Sequence, residues 1–405
     1  MTEDTYGTLI GSLAAANDKR IVLLVMDGVG DCDNGGRGTA LQIANTPNLD
    51  ELASRSALGL SVPVATAVTP GSGPGHLGLF GYDPLIYQVG RGVLSALGIE
   101  FPVTSRDVCA RLNFCTIDAD GKVTDRRAGR IPDEENVRVL NRIREGLKPP
   151  QGVEVFFETV AEHRALLVIR GDGLNDDIGE TDPQAVGVDP LAPNRPPYEK
   201  SLTARIAADI IAQVRQILAG ELQANMILAR GFAKFPDWPT FAERFKLNPA
   251  AVAGYPMYRG VARLVGMPVV SQPTTATDIC AETVNAMADH TFVFSHFKYT
   301  DKTGEDGDLD GKVARIEEMD AALPVLLAGS PDALIITADH STPPSLKAHS
   351  WHPVPVLLAA PYLRGGDGPG FDEIACRAGQ LGTVHATELV PLAMAHTGKL
   401  EKFGA

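Results

Sequence analysis

The sequence predicts an α/β fold: a mostly parallel sheet with helices on both faces, plus a smaller inserted α+β domain. Two observations lead to this prediction. Short, unbroken apolar runs alternate with segments of helical spacing near both ends of the chain, which is typical of a parallel sheet. Between them lies a stretch that is rich in proline and arginine and follows neither pattern.

The first element is an apolar run, Ile-Val-Leu-Leu-Val-Met, which occupies residues 21–26 and is followed by Asp27. It has the length of a strand that is buried on both faces, and it delivers Asp27 at its carboxyl end. Comparable runs occupy residues 291–295, 333–337 and 354–358. We expect each of them to be a strand of the same sheet.

Two further patterns predict helices. Thr46 precedes Pro47, and this pair is typical of a helix N-terminus because proline fits the first helical turn. Between the second and third strands, apolar side chains recur at helical spacing, at Val313, Ile316, Met319, Leu323 and Leu326. One face of that helix is therefore expected to pack on the sheet.

The 405-residue chain is long enough for two or three domains. Proline-rich connections occur in the irregular middle stretch, at residues 148–152 and 189–197. We therefore expect an inserted domain at 111–224. The sheet domain is then split into residues 1–110 and 225–405.

The composition excludes several classes of protein. Lys and Arg number 36 against 50 Asp and Glu, so the net charge is −14, which argues against a nucleic-acid binder. The longest apolar run, residues 21–26, is far shorter than the ~20 residues of a membrane helix. The first 20 residues lack a signal-peptide pattern and the five cysteines are scattered, so we expect a cytoplasmic protein.

Acidic and histidine side chains collect next to the ends of the predicted strands. Asp27 follows the first strand, and the acid-rich segment 301–308 follows the second. Asp339 and His340 follow the third strand, and His349 precedes the fourth. A single Asp at such a place is most often a helix cap or a solvated loop residue, but converging carboxylates and imidazoles suit divalent metal ions. An adjacent acid and imidazole can face two metals about 4 Å apart.

Residues 69–76, Thr-Pro-Gly-Ser-Gly-Pro-Gly-His, form a second candidate site. Glycines let the backbone approach a ligand closely and leave amide donors free for phosphate oxygens. The loop lacks the Gly-Lys-Ser/Thr ending of a nucleotide-binding P-loop, which argues against ATP. The glycines and prolines around Ser72 are typical of an ordinary turn. A metal held by the acids and histidines, however, would activate the Ser72 hydroxyl as a nucleophile.

Arginine is concentrated in the middle stretch, at Arg126, Arg127, Arg130, Arg164 and Arg170. Arginine binds carboxylates and phosphates through paired N–H groups, although an isolated pair is more often a solvated surface. An acidic run over residues 172–182 has three possible roles: it orients these arginines, takes part in proton transfer, or is a solvated loop.

Short motifs spread from about residue 20 to residue 400 are specific in combination. They are Met-Asp-Gly at 26–28, Thr-Pro-Asn-Leu-Asp at 46–50, Gly-Ser at 71–72, Phe-Gly-Tyr-Asp-Pro at 80–84, Gly-Arg-Gly at 90–92, Asp-Arg-Arg-Ala-Gly-Arg-Ile at 125–131, Thr-Asp-Pro at 181–183 and Thr-Ala-Asp-His-Ser at 337–341. With them the chain resembles the archaeal-type 2,3-bisphosphoglycerate-independent phosphoglycerate mutase family, within the alkaline phosphatase superfamily. The resemblance implies an alkaline-phosphatase-like fold.

The resemblance also implies a reaction. An isomerase of this family interconverts 3-phosphoglycerate and 2-phosphoglycerate, in glycolysis and gluconeogenesis, without bisphosphoglycerate or a nucleotide. Ser72 would carry the phosphoryl group as a phosphoserine while bound glycerate reorients. The implied partner is thus a small phosphorylated substrate, with no nucleic acid and no membrane. The sequence leaves monomer and homo-oligomer undecided.

Carried over motif by motif, the resemblance also implies the site residues. Two divalent ions are implied, manganese first, with magnesium, cobalt or zinc as alternatives. The first metal matches Asp27, Ser72, Asp339 and His340, and the second matches Asp301, Glu305 and His349. The inserted domain resembles the family's substrate domain, so the candidates to hold glycerate are Arg126, Arg127, Arg130, His163, Arg170, Asp177 and Asp182.

One position departs from the family's usual Asp-x-x-Gly-His motif, because residues 301–305 read Asp-Lys-Thr-Gly-Glu. The Glu305 carboxylate can still bind a divalent cation through oxygen. It is, however, a harder donor than the imidazole of the usual histidine, and it adds negative charge. We therefore expect a shift in preference toward manganese or magnesium and away from zinc. His352, three residues after His349, is either a replacement ligand or a surface histidine.

Three other functions remain open from the sequence alone. Some bacterial relatives have been proposed to act on other small metabolites, homoserine included, and a kinase of that kind would bind ATP. A phosphatase would let water intercept the phosphoserine. A metal-impaired binding protein is the third alternative, and only Glu305 motivates it.

Overall fold

The computed structural model describes residues 4–368 and 370–404. The strands are β1 (Ile21–Met26), β2 (Ala57–Val62), β3 (Asp107–Ile117), β4 (Val123–Asp125), β5 (Val153–Ala161), β6 (Arg164–Gly171), β7 (Met226–Lys234), β8 (Pro249–Ala253), β9 (Val269–Ser271), β10 (Phe292–Phe297), β11 (Ala333–Thr337), β12 (Val354–Ala359) and β13 (Gly382–His385). The helices are α1 (Thr5–Leu13), α2 (Ala40–Ile43), α3 (Pro47–Ala53), α4 (Ser72–Leu79), α5 (Arg91–Gly98), α6 (Asp133–Gly146), α7 (Leu202–Ile217), α8 (Phe241–Phe245), α9 (Pro256–Leu264), α10 (Ala276–Ala286), α11 (Tyr299–Asp306), α12 (Leu309–Ala328), α13 (Glu373–Ala378) and α14 (Leu389–His396). Short 3-10 turns cover Ala128–Arg130, Tyr198–Lys200 and Ala386–Glu388.

Eight strands form the larger sheet, in the order β13-β2-β12-β11-β1-β10-β8-β9. Five of its seven neighbouring pairs are parallel, and β12 alone runs antiparallel to both of its neighbours. The predicted mostly parallel α/β fold is thereby confirmed. The four predicted strands are β1, β10, β11 and β12, although β10 continues to Phe297 instead of ending at Ser295.

Strand β1 shows why this sheet needs helices on both faces, because all six of its residues are buried. Val22 and Leu24 share one core cluster with Ile279 of α10 and Ile316 of α12. Successive side chains of a strand point to opposite faces, so the equally buried Leu23 faces a second layer. Helices α9 and α14, which contact β8 and β11, lie outside the first cluster and supply that layer.

Both predicted helices are present. Helix α3 begins at Pro47 with Thr46 at its N-cap, but the Thr46 hydroxyl donates to Asp50 and caps no backbone N–H. Helix α12 buries the predicted apolar stripe, including Met319 and Leu323. Among the described residues, no helix combines the length and the apolar character needed to span a bilayer.

The chain divides into two compact units. One consists of the chain up to Gln88 together with the chain from Pro239 onward, and it contains the eight-stranded sheet. The other runs from Val89 to Trp238, and the expected insert at 111–224 lies within it. We refer to them as the sheet unit and the inserted unit.

The inserted unit is built on a five-stranded antiparallel sheet. Strand β3 pairs with β4, β6 and β7, and β5 pairs with β6. Helices α6 and α7 pack against this sheet through an apolar cluster that includes Leu140, Ile143 and Ile210. This combination is the predicted α+β architecture.

Candidate metal centre and arginine-lined cavity

The parallel strands of the sheet unit bring several acidic segments to one edge. Asp27 directly follows β1, Asp301 lies in the first turn of α11 after β10, and Asp339 follows β11. Strand β1 lies between β10 and β11 and is parallel to both. The carboxyl ends of the three strands therefore meet at the same edge, which is where open α/β sheets bind ligands.

The residues predicted for the first metal lie close together. The donor atoms of Asp27, Asp339 and His340 are all within 4.8 Å of one another, and the three side chains are fully buried. His340 Nε2 is 3.4 Å from Asp27 Oδ1 and 3.2 Å from Asp339 Oδ2. Ser72 Oγ is 3.4 Å from the same nitrogen. The other three predicted residues, Asp27, Asp339 and Ser72, thus lie around His340 Nε2.

The residues predicted for the second metal are also neighbours, but less tightly. His349 Nε2 is 3.6 Å from Asp301 Oδ1 and 3.7 Å from Glu305 Oε1. His349 Nδ1 lies 2.9 Å from Pro70 O, which only accepts, so Nδ1 carries the proton and Nε2 is free to bind a metal. The compact set of donor atoms here is Asp301, His340 and His349, with Glu305 outside it. Glu305 is also half exposed (53%), whereas Asp301 is buried.

His352 takes no part in either cluster of donor atoms. Its Nδ1 lies 2.9 Å from Ser350 Oγ, and its ring stacks on that of the exposed Trp351. The geometry therefore favours the surface histidine over the replacement ligand.

The donor set fits a divalent cation. Asp27 Oδ1 and Asp339 Oδ2 are buried and accept no hydrogen bond from the described residues. His76 Nδ1 lies 3.1 Å from Asp339 Oδ2, but it donates to Ser72 O at 2.9 Å. Buried acceptors without a donor cost free energy, and a hard cation bound between carboxylates and imidazole removes that cost.

The surroundings set the charge of each ligand in the metal-free protein. Burial opposes ionisation of Asp27, but the hydrogen bond from His296 and the charge of Lys298 hold the Asp27 pKa well below its usual value. Burial and the charge of Asp27 raise the pKa of Asp339 to about 6. Burial lowers the pKa of His340 well below its usual value, which keeps the ring in the neutral form that binds metals.

Sequence reasoning missed two residues of this centre. His296 Nε2 donates to Asp27 Oδ2 at 3.1 Å, and Lys298 Nζ lies 3.2 Å from the same oxygen and also bonds Asp301. The available signal was the polar pair at 296 and 298, directly after an apolar run. The prediction ended that strand at Ser295, so the pair was assigned to no strand end.

A second site lies entirely within the inserted unit. A cavity of ≈230 Å³ is lined by Asn113, His163 and six arginines, which are Arg91, Arg111, Arg126, Arg127, Arg164 and Arg230. Strand register explains the concentration, because Arg111 lies opposite Arg230 and Asn113 lies opposite Arg164. Like charges opposite one another are unfavourable, so this arrangement suits an anionic ligand that arginines can grip.

One buried carboxylate orders two of these arginines. Asp182 accepts hydrogen bonds from Arg126 at 2.9 and 2.8 Å and from Arg230 at 3.2 Å. Burial opposes its charge, but the Arg126 hydrogen bond lowers the pKa of Asp182 below its usual value. Burial, with the charge of Arg164, lowers the pKa of His163, so its ring is neutral near pH 7.

The seven candidates to hold glycerate lie in different places. Arg126, Arg127 and His163 line the cavity, and Asp182 accepts hydrogen bonds from the lining residue Arg126. The others do not line it: Arg170 pairs with the buried Asp107 at 2.6 and 2.8 Å, and Arg130 and Asp177 are exposed.

Five lining residues were not among those candidates: Arg91, Arg111, Asn113, Arg164 and Arg230. A signal for two of them exists in the sequence. Arg111 and Asn113 interrupt an otherwise apolar run at alternate positions, so both point to the same face of β3. The other three come from α5, β6 and β7, which only the fold brings together.

Comparison with known proteins adds a family. The Metalloenzyme superfamily model matches residues 19–396. The chain is 48% identical over 396 residues to a probable 2,3-bisphosphoglycerate-independent phosphoglycerate mutase of Thermotoga neapolitana, with 98% of each chain covered. It is 48% identical over 402 residues to a protein of the same name from Thermus thermophilus, with 98% of this chain and 99% of that one covered.

Two solved structures also match this chain over most of its length. A cofactor-independent phosphoglycerate mutase from Thermoplasma acidophilum matches with a TM-score of 0.72 and 29% identity, over 94% of this chain and 100% of that one. A protein from Pyrococcus horikoshii matches with a TM-score of 0.80 and 28% identity, over 96% of this chain and 99% of that one.

Proposed function

Since the chain belongs to the Metalloenzyme superfamily and to the family of 2,3-bisphosphoglycerate-independent phosphoglycerate mutases, we propose that it interconverts 3-phosphoglycerate and 2-phosphoglycerate through a phosphoserine at Ser72. It is a metal-dependent isomerase that acts on a small phosphorylated substrate. The observation that carries the proposal is the position of Ser72 Oγ, 3.4 Å from His340 Nε2 in a buried centre of carboxylates and histidines.

The local backbone supports Ser72 as the nucleophile. Ser72 is the first residue of α4, after Gly71 at the N-cap, so amide groups of the first helical turn remain free to bind phosphoryl oxygens. A Cβ atom at Gly75 would lie only 2.3 Å from Asp339 O. Glycine at this position therefore allows the helix that carries Ser72 to approach the metal ligands closely.

We assign two divalent ions, manganese by expectation, to this centre. Asp27, Ser72, Asp339 and His340 would hold the first ion, and Asp301, Glu305 and His349 would hold the second. Bound metal lowers the pKa of a hydroxyl and neutralises the phosphoryl oxygens, which is the chemistry that a serine nucleophile needs. Lys298, 3.2 Å from Asp27 Oδ2, keeps that ligand charged and in place.

In the proposed reaction Ser72 Oγ loses its proton and attacks phosphorus, and the bond from phosphorus to the C3 oxygen breaks. That oxygen takes up a proton, which leaves phosphoserine and glycerate. The C2 hydroxyl then loses a proton and attacks phosphorus, and the bond from phosphorus to Ser72 Oγ breaks. Ser72 Oγ takes up a proton, which leaves 2-phosphoglycerate and free Ser72. Glycerate must stay bound between the two steps, and the arginine-lined cavity supplies donors for its carboxylate.

Conversion of 3-phosphoglycerate to 2-phosphoglycerate tests the proposal directly. Metal-stripped protein is assayed without bisphosphoglycerate, before and after manganese is added back. We expect conversion that needs metal, and a loss of at least about a thousandfold in Ser72→Ala because the nucleophile is removed. Ser12→Ala, in α1, is the matched control and should keep full activity.

Each other outcome counts against the mutase. Release of free phosphate in place of 2-phosphoglycerate identifies a phosphatase. Turnover that persists in Ser72→Ala rules out the phosphoserine. No reaction with either phosphoglycerate rules out the proposed substrate pair.

A further inference from the structure

Helix α12 places one lysine, Lys312, wholly inside the sheet unit, with no exposed surface. Its Nζ donates to Gly28 O at 2.9 Å, to Gly30 O at 3.1 Å and to Thr342 O at 3.0 Å. An ammonium group has three N–H donors, so backbone carbonyls use all of them.

These carbonyls belong to the two turns that carry metal ligands. Gly28 and Gly30 lie in the turn after Asp27, and Thr342 lies in the turn after His340. The turns are in close contact, since Thr342 N donates to Gly30 O at 3.0 Å and a Cβ atom at Gly28 would lie 2.5 Å from Thr342 Oγ1. Lys312 therefore links the two turns through its hydrogen bonds to both.

Thr342 connects this link to the metal ligands. Its hydroxyl donates to Asp301 Oδ1 at 2.6 Å and lies 2.9 Å from His340 Nδ1. A shift of the Thr342 turn would thus move Asp301, which belongs to one cluster of donor atoms, and His340, which belongs to both clusters. Hydrogen bonds behind metal ligands commonly affect metal affinity about tenfold to a hundredfold.

Burial of an ammonium costs free energy, and the three hydrogen bonds to the carbonyls of these two turns offset that cost. The same three hydrogen bonds connect the two turns to one side chain. We propose that Lys312 is a positioning residue of the metal centre, which holds the turn after Asp27 and the turn after His340 at a fixed separation. This role rests on the proposed metal site.

Titration calorimetry tests this role. It measures manganese binding to the full, metal-stripped chain below the unfolding temperature. Lys312→Met should weaken binding by at least about tenfold. Lys312→Gln, which keeps two N–H donors, should weaken it less. Lys399→Met is the matched control: Lys399 is also fully buried and donates to a carbonyl, Asn17 O at 2.7 Å, but touches neither turn. It should bind manganese as the wild type does.

Every result decides the matter. Wild-type protein that binds no manganese overturns the metal centre itself, and this role with it. If the wild type binds and Lys312→Met binds within twofold of it, only the role of Lys312 is overturned. Equal weakening in Lys399→Met overturns it too, because the loss then reflects general stability. Should Lys312→Met not fold, Lys312→Gln decides: manganese binding weakened by more than twofold supports the role, and binding within twofold of the wild type overturns it.

Discussion

The two candidate sites collect opposite charges. In the sheet unit, three buried aspartates lie close to His340 and His349, and in the inserted unit six arginines line one cavity. Like charges this close repel one another more strongly than they would in water. Each site is therefore built for the opposite ion: cations in the first and an anion in the second.

Each site also contains one residue of the opposite sign, which fixes its neighbours. Lys298 lies between Asp27 and Asp301 in the metal centre. Asp182 lies between Arg126 and Arg230 beside the cavity. These internal counter-charges hold the like-charged groups in place before any ligand binds, so part of the ordering cost of binding is already met.

The largest expected effect comes from breaking the metal centre alone. Asp27→Asn removes a charge and one oxygen ligand, so manganese affinity should fall by at least about a hundredfold and mutase activity by about a thousandfold. Phosphoglycerate binding to the metal-free protein, measured by calorimetry, should be unchanged. Asp332→Asn, at a surface ion pair with Lys19, is the control and should alter neither quantity. A loss of phosphoglycerate binding in Asp27→Asn would show that the two sites are not separable.

The reverse experiment breaks the cavity alone. Arg111→Met removes one charged donor, and such hydrogen bonds contribute about 1.5–3 kcal/mol, so KM should rise about tenfold or more. Manganese affinity should stay as in the wild type. The control is Arg106→Met, since Arg106 pairs with the exposed Asp172 just before the same strand. An unchanged KM in Arg111→Met would mean that the cavity does not hold the substrate.

The same contrast explains what the sequence could predict. The predicted metal ligands Asp27, Asp301 and Asp339 follow the ends of parallel strands, either directly or in the next turn. Parallel strands end at a common edge, so the positions where the apolar runs stop were enough to group the three residues. The cavity depends on antiparallel register, which sets Arg111 opposite Arg230. A shift of one residue would reverse the face, and no short motif encodes that register.

Where local spacing did mislead, the reason was also physical. Arg170 lies in the arginine-rich stretch, yet strand pairing places it beside Asp107, with which it forms an ion pair. Sequence proximity to other arginines carried no information about that partner. His296 was missed because β10 extends two residues beyond the apolar run that predicted the strand, so His296 was not recognised as part of a strand end.

The smallest expected effect concerns Glu305, the outermost member of the metal centre. Its carboxylate is 3.7 Å from His349 Nε2 and half exposed (53%), so solvent screens its charge and its contribution to affinity is modest. Glu305→His replaces a hard oxygen donor with imidazole, so the ratio of zinc to manganese affinity should rise, by less than about tenfold. Asp306→His is the control. Asp306 is the next residue and is exposed, so this substitution removes the same charge at a position that is not a predicted metal ligand. An equal ratio in both variants would place Glu305 outside the centre, which would leave the second ion to Asp301, His340 and His349.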